Sequence, residues 1–272
     1  MTMPPAPVQL NREEVEKQLS ILWELMTPED RAYLKVIVAA IVANGQPIRI
    51  TIGNLKGGVN KTTTAVFLAL LLAFTGENVL LVDGDGTNNS CLLWKLGAGE
   101  HWPTNLQVMA WGTPDLAKRI KAMEGQFKHL VVDTGPQHKG VLESALYVTD
   151  TLLIPCQSTP MDTSQLDPTF ELAERIDAIK ELASVVMFAR AKKPGGKDTH
   201  LTRKSYARLA EKNRPVLPMP LYDNGKYAEA FPVFPREWVQ YPEVLAEIVA
   251  FALDLDEVPQ DPKKASLAEG TR

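Results

Sequence analysis

Lys56-Gly57-Gly58-Val59-Asn60-Lys61-Thr62-Thr63-Thr64 places two glycines and two lysines ahead of a run of threonines. When such a loop opens onto a helix, its successive N–H groups converge and the helix dipole adds positive potential, so polyphosphate is the natural occupant. In this pattern the Lys61 amine reaches the β- and γ-phosphates, and the Thr62 hydroxyl sits on Mg²⁺. A glycine-rich turn that only joined a strand to a helix would have no need of Lys-Thr-Thr at the helix start. Two carboxylate segments extend the set. In the run ending Val82-Asp83-Gly84-Asp85, strand alternation puts Asp83 and Asp85 on one side. One of them can serve Mg²⁺ through water while the other orients an attacking water. His129-Leu130-Val131-Val132-Asp133 is an apolar strand ending in a carboxylate, the Walker B arrangement, with Asp133 supporting the Mg²⁺ shell. Either aspartate pattern alone is commonplace. All three segments in this order mark a nucleoside-triphosphate site.

These residues need elements to hold them. Short β-branched runs alternate with helical segments from residue 47, which predicts an α/β domain with a mostly parallel central sheet flanked by helices. Strands are expected at 48–53, 78–82, 129–132, 151–154, 184–188 and 215–218. Helices are expected at 61–75, 89–96, 114–123, 139–148, 164–182, 202–212, 225–230 and 242–253. The loop and both carboxylate segments then fall at carboxyl ends of strands, where open α/β sheets bind ligands. Upstream, Asn11 caps a helix running to Met26, and Thr27-Pro28-Glu29-Asp30 starts a second that stops at Asn44-Gly45. Val15, Leu19, Leu22 and Leu25 form an apolar stripe on the first, suited to packing or dimerisation. The division expected is a helical extension over 1–46 with a frayed, Pro-rich start at 1–10, the α/β domain over 47–253, and an acidic, disordered tail over 254–272.

Charge is unevenly placed. Lys+Arg 29 against Asp+Glu 33 gives −4 overall. The segment 190–214 holds nine basic residues (Arg190, Lys192, Lys193, Lys197, Arg203, Lys204, Arg208, Lys212, Arg214) and two acidic ones, a local +7 that leaves −11 for the remainder. Lys204, Arg208 and Lys212 recur every four residues and share a helix face, and the flexible Pro194-Gly195-Gly196 lies beside Lys192 and Lys193. Positive charge set out this way suits sequence-neutral phosphate contact. Two cysteines and four scattered histidines do not make a disulfide framework or a four-ligand zinc site. No apolar run approaches the roughly 20 residues that span a bilayer, and the start lacks a secretory pattern, so a cytoplasmic protein is expected.

With these motifs the chain resembles the ParA/MinD deviant-Walker ATPases, and among them the ParA-type DNA partition ATPases, over about 48–253. The family pattern KGGxGKTT matches Lys56, Gly57, Gly58, Val59, Asn60, Lys61, Thr62 and Thr63 at all but one position, including the signature lysine, Lys56. Val82-Asp83-Gly84-Asp85 matches the family's second-strand motif and Asp133 its Walker B aspartate. Leu153-Ile154-Pro155, followed by Asp162, resembles the strand that comes next. The resemblance implies an ATP- and Mg²⁺-dependent homodimer that sandwiches two nucleotides. Lys56 would cross to the partner's phosphates beside Lys61, Asp85 would position the hydrolytic water, and Thr62, Asp83 and Asp133 would serve the metal. It also implies non-specific DNA binding through Arg190, Lys192, Lys193, Lys197, Arg203, Lys204, Arg208 and Lys212, nucleoid association, no membrane contact, and a ParB-type centromere-binding partner.

Two departures stand out. Asn60 replaces the glycine before the Walker lysine, and Gly86-Thr87 replaces the Pro-Gln after the second aspartate. An adaptor with little or no hydrolysis, for conjugation or cargo positioning, is therefore an alternative to a partition ATPase. A MinD-like positioning ATPase is another, although Asp254-Leu255-Asp256-Glu257 lacks the basic amphipathic helix such proteins use at the membrane. A metabolic ligase of the superfamily stays open. Cys91 and Cys156 do not resemble the cluster-ligating pair of nitrogenase iron proteins.

Overall fold

Buried, β-branched strands and one wholly apolar helix set the architecture. The computed structural model describes residues 11–193 and 197–263; the expectations for 1–10, 194–196 and 264–272 lie outside the described residues. Strands β1 (Arg49–Ile52), β2 (Val79–Gly84), β3 (Leu106–Ala110), β4 (His129–Thr134), β5 (Thr151–Gln157) and β6 (Ala183–Ala189) form one parallel sheet in the order β3-β2-β4-β1-β5-β6. Parallel pairing brings every carboxyl end to the same edge. Register refines that: Asp133 lies opposite Ile52 on one side and opposite Asp83 on the other, so both carboxylates and the start of the glycine loop meet at one level.

Two helices precede the sheet, α1 (Arg12–Leu25) and α2 (Pro28–Asn44). The Asn11 side chain accepts from Glu13 N, Thr27 accepts from Asp30 N, and Gly45 closes α2 with φ 75°. Between and after the strands come α3 (Lys61–Ala73), α4 (Ser90–Ala98), α5 (Leu116–Lys121), α6 (Lys139–Leu146), α7 (Pro160–Thr163), α8 (Asp167–Asp177), α9 (His200–Glu211), α10 (Lys226–Glu229) and α11 (Tyr241–Ala252). Helix α3 is apolar all round because it is enclosed all round. Its Phe67 stacks on Tyr241 of α11 with ring centroids 4.1 Å apart and meets the Trp238 ring at 4.9 Å. Val15, Leu19 and Leu22 of α1 and Leu34, Ile37 and Ile41 of α2 enter that same core, so the stripe on α1 is a packing surface. No helix among the described residues is long and apolar enough to cross a membrane.

Four expectations are corrected. Strand β3 was not anticipated; it is a short edge strand paired only with β2, and its Leu-Gln-Val-Met-Ala run is mostly apolar but holds a single β-branched residue. Residues 215–218 form no strand. Pro215, Pro218 and Pro220 remove the donors a ladder needs, leaving single bridges from Val216 to Val186 and from Tyr222 to Ala191 beside β6. The helix expected at 164–182 is shorter, α8 alone, with the separate single turn α7 ahead of it and Pro168 in the first turn of α8, where its missing N–H costs nothing. Finally, the expected disorder from residue 254 does not extend over 254–263. Pro259 is buried and Val258 partly so, Tyr33 of α2 donates to the Pro259 carbonyl at 3.0 Å, and Lys263 pairs with Glu29.

His129, at the foot of β4, is fully buried, and its Nδ1 accepts from Ile48 N at 3.0 Å. Burial lowers its pKa from 6.5 to about 4, with the nearby Lys128 charge acting in the same direction. The folded chain therefore holds this imidazole neutral, while the unfolded chain takes up a proton below its ordinary pKa. The stabilisation is complete above pH 6.5 and is lost as pH falls toward 4, a change of about 3 kcal/mol. His129→Asn keeps an acceptor near the Nδ1 position and removes the titration, so urea unfolding at pH 7 and pH 4.5 should show a shallower decline for the variant. Identical pH slopes for the two proteins would rule this out.

Candidate nucleotide site

The glycine loop leaves β1 and is anchored before it turns. Buried Asn54 donates from Nδ2 to the Pro155 carbonyl on β5 at 2.7 Å and accepts from Lys56 N at 3.0 Å. The loop after β4 supports it from below, with Gln137 N donating to the Leu55 carbonyl at 3.0 Å. Gly58 takes φ 71°, and Asn60, just before α3, takes φ 61° and ψ 25°. Asparagine is the non-glycine residue best suited to that left-handed geometry, so the backbone path glycine would provide is kept. At the head of α3 the Lys61 amine donates to the Lys56 carbonyl at 2.7 Å, closing the loop on itself. Burial lowers the Lys61 pKa, opposed by the Asp133 and Asp85 charges.

The carboxylates divide the work. Thr62 donates from Oγ1 to Asp133 Oδ2 at 2.6 Å, and the Cys91 thiol approaches the same oxygen at 3.7 Å. Asp133 Oδ1 is buried and has no hydrogen-bond partner. Burial raises the Asp133 pKa, with the Asp83 charge adding to it and the Thr62 hydrogen bond opposing it. An orphaned carboxylate oxygen beside a threonine hydroxyl is a hard-oxygen donor set, which fits Mg²⁺. Asp83, expected to share the metal's shell, has its carboxylate occupied by backbone donors: Asp85 N at 3.2 Å on Oδ1, Cys91 N at 2.8 Å and Leu92 N at 3.4 Å on Oδ2. It shapes the turn into α4.

Asp85 faces the site more freely. It accepts from Thr87 N at 3.1 Å and from the Asn88 amide at 2.9 Å. Burial pushes its pKa up, but these hydrogen bonds and the His138 side chain outweigh that and hold it below the usual range. Gly135 leaves room for the pair, since a Cβ there would lie 3.0 Å from His138 Nδ1 and 3.1 Å from Asp85 Oδ1. The backbones of Gly86 and Gly112 touch: a Cβ on Gly86 would lie 3.2 Å from the Gly112 carbonyl oxygen, and one on Gly112 would come within 2.3 Å of the Gly86 Cα.

The comparisons with known proteins bear on the fold and on the segment that carries the loop. A family model described as an AAA domain matches residues 48–102. The chain is 28% identical to Protein ParA of Rhizobium radiobacter over 67% of this chain and 81% of that one. It is 22% identical to the maintenance of carboxysome distribution protein A of Synechococcus elongatus, over 52% of this chain and 70% of the relative. Among solved structures, an ATP complex of McdA from Cyanothece superposes with a TM-score of 0.61 at 18% identity, covering 79% of this chain and 99% of that one. These likenesses support a P-loop NTPase of the ParA/MinD type, the solved structures bearing on the fold alone.

The family's signature lysine, Lys56, is placed by its own chain: its amine forms an ion pair with Asp162 of α7. Asp162, His138 and Cys91 are site residues that sequence reading missed as a group. Their signals were present but ambiguous, as single polar residues a few positions beyond a strand end. The basic segment is less uniform than its composition suggests. Lys204 and Arg208 lie along α9 and Lys212 caps its end, but Arg208 donates to the Pro160 carbonyl at 3.4 Å and Lys212 pairs with Asp167 at 2.9 Å. Arg190 pairs with Asp223 at 3.6 Å, Arg203 donates to the Asp198 carbonyl at 2.7 Å, Lys193 lies over the Tyr222 ring, and Arg214 pairs with Glu174. Lys192, Lys197 and Lys204 are exposed, with no ion pair recorded among the described residues.

Proposed function

We propose that this chain is a Mg²⁺-dependent ATPase that dimerises on ATP, binds DNA without sequence preference, and takes part in plasmid or chromosome partition with a ParB-type partner. The observation that carries the reading is the pair of lysines on one loop. Lys61 donates to the Lys56 carbonyl within the phosphate cradle, while Lys56 directs its amine away from that cradle toward Asp162. One lysine suffices for the chain's own phosphates; the second gains a use when another copy presents a second triphosphate. Thr62 and Asp133 would hold Mg²⁺, which would supply positive charge against the triphosphate. Asp83 fixes the turn that carries Asp85. Cargo positioning is a second reading, favoured by the likeness to a carboxysome distribution protein.

The exposed cations supply the DNA test. In duplex titrations with the ATP-loaded protein, log affinity should fall linearly with log salt, with a slope near −0.9 per phosphate neutralised. Lys192→Glu with Lys204→Glu should weaken binding to all sequences alike and flatten the slope by about 2 per engaged subunit, leaving ATP affinity unchanged. Binding indifferent to salt, or an unaltered slope in the double variant, would remove DNA from the proposal. Single-turnover hydrolysis in the same samples separates an ATPase from a silent adaptor.

A further inference from the structure

Asp162 is nearly buried yet carries a full carboxylate, and the architecture around it leaves one oxygen for one partner. It is the third residue after the α7 cap, Thr159. Its backbone N–H donates to Thr159 Oγ1 at 3.1 Å, and Thr159 Oγ1 donates in turn to Asp162 Oδ2. Thr163 Oγ1 adds a bond to the Thr159 carbonyl at 3.2 Å, stiffening the turn. That cap aims Oδ1 at the Lys56 amine; the two side chains are 6% and 30% exposed. Lys56 is equally constrained in its backbone, donating from N to Asn54 and accepting at its carbonyl from Lys61. Only its side chain is free to change partner.

We propose that Asp162 is a positioning residue that holds Lys56 on its own chain, so that the lysine amine reaches a second copy only after phosphate charge has displaced it from that carboxylate. The inference rests on the reading of Lys56 as a residue that acts across a dimer. Breaking a pair this enclosed leaves a carboxylate without its counter-charge, which is costly, so release needs a stronger anion near the amine. A triphosphate carries more charge than one carboxylate and meets this requirement. The restraint therefore sets a threshold: without nucleotide, the cross-dimer group stays retracted.

Two measurements test it in the full chain. In the first, amine acetylation at Lys56 is followed by mass spectrometry without nucleotide. Asp162→Asn keeps an acceptor for the Thr159 cap while removing the charge, and should label about tenfold faster than wild type. Asp162→Glu, which restores the charge, should return toward the wild-type rate. In the second, sedimentation with Mg²⁺ and a non-hydrolysable ATP analogue reports the dimer dissociation constant. Asp162→Asn should dimerise about tenfold more tightly than wild type. Placed in a Lys56→Gln background, the same change should do nothing, because the lysine through which it acts is gone. Equal labelling of wild type and Asp162→Asn overturns the proposal, and so does tighter dimerisation that persists without Lys56. If labelling rises as expected but neither protein dimerises, the restraint stands and the dimer reading fails.

Discussion

Lys56→Ala should reduce kcat for ATP hydrolysis about 10³-fold or more while leaving ATP affinity within a factor of about 3. The asymmetry follows from where the amine lies. In the single chain it pairs with Asp162, outside the phosphate cradle formed by the loop and Lys61, so little ground-state binding is lost with it. Its contribution comes when it crosses to a partner and meets charge that grows on the transferring phosphoryl group, the role an arginine finger plays in other P-loop enzymes. Steady-state hydrolysis and equilibrium nucleotide binding, measured on one preparation, separate the two effects. A variant that turns over at the wild-type rate would exclude the cross-dimer role, and one that loses ATP binding equally would place Lys56 inside its own cradle.

Asp85→Ala should lower kcat by about 10²–10⁴-fold and trap the ATP-bound state. The carboxylate lies at the carboxyl edge of the sheet beside His138, held by Thr87 N and the Asn88 amide. Those donors keep it ionised well into the acid range, so it can accept a hydrogen bond from water across the working pH range. Asp85→Asn preserves the shape and loses the charge, and should be nearly as slow. Nucleotide binding should survive in both variants, because Thr62 and Asp133, the proposed metal ligands, are untouched. Turnover within tenfold of wild type in both would shift the water-orienting role to another group, with His138 the nearest candidate.

Much of the site was legible because its chemistry is local. A phosphate loop is built from consecutive backbone donors, so Lys56–Thr63 declares itself in eight residues. Asn60 was legible as a departure but not in its consequence. Its φ of 61° keeps the glycine path, so any slowing of turnover must come from the bulk of the side chain. Asp83 was legible as a strand-end carboxylate, while its three backbone donors, two of them from α4, could be assigned only once α4 was in place. The basic segment was legible as charge but not as geometry for a related reason: composition counts charges, whereas pairing of Arg190, Lys212 and Arg214 depends on acids from other elements.

By itself the sequence determined five of the six strands, the phosphate loop and the order of the carboxylate strands. Apolar runs of strand length must be buried on both faces, and parallel strands joined by helices bring their carboxyl ends to one edge whatever the detail. It also determined the caps of α1 and α2, since a cap is satisfied within three residues. Tertiary structure alone decided the rest. It chose Asp162 as the partner of Lys56, set His138 beside Asp85, brought Gly86 against Gly112, and packed 254–263 onto α2. Each of these joins groups far apart in the chain, and such contacts are selected by packing of the whole core, for which no short stretch of sequence carries a signal.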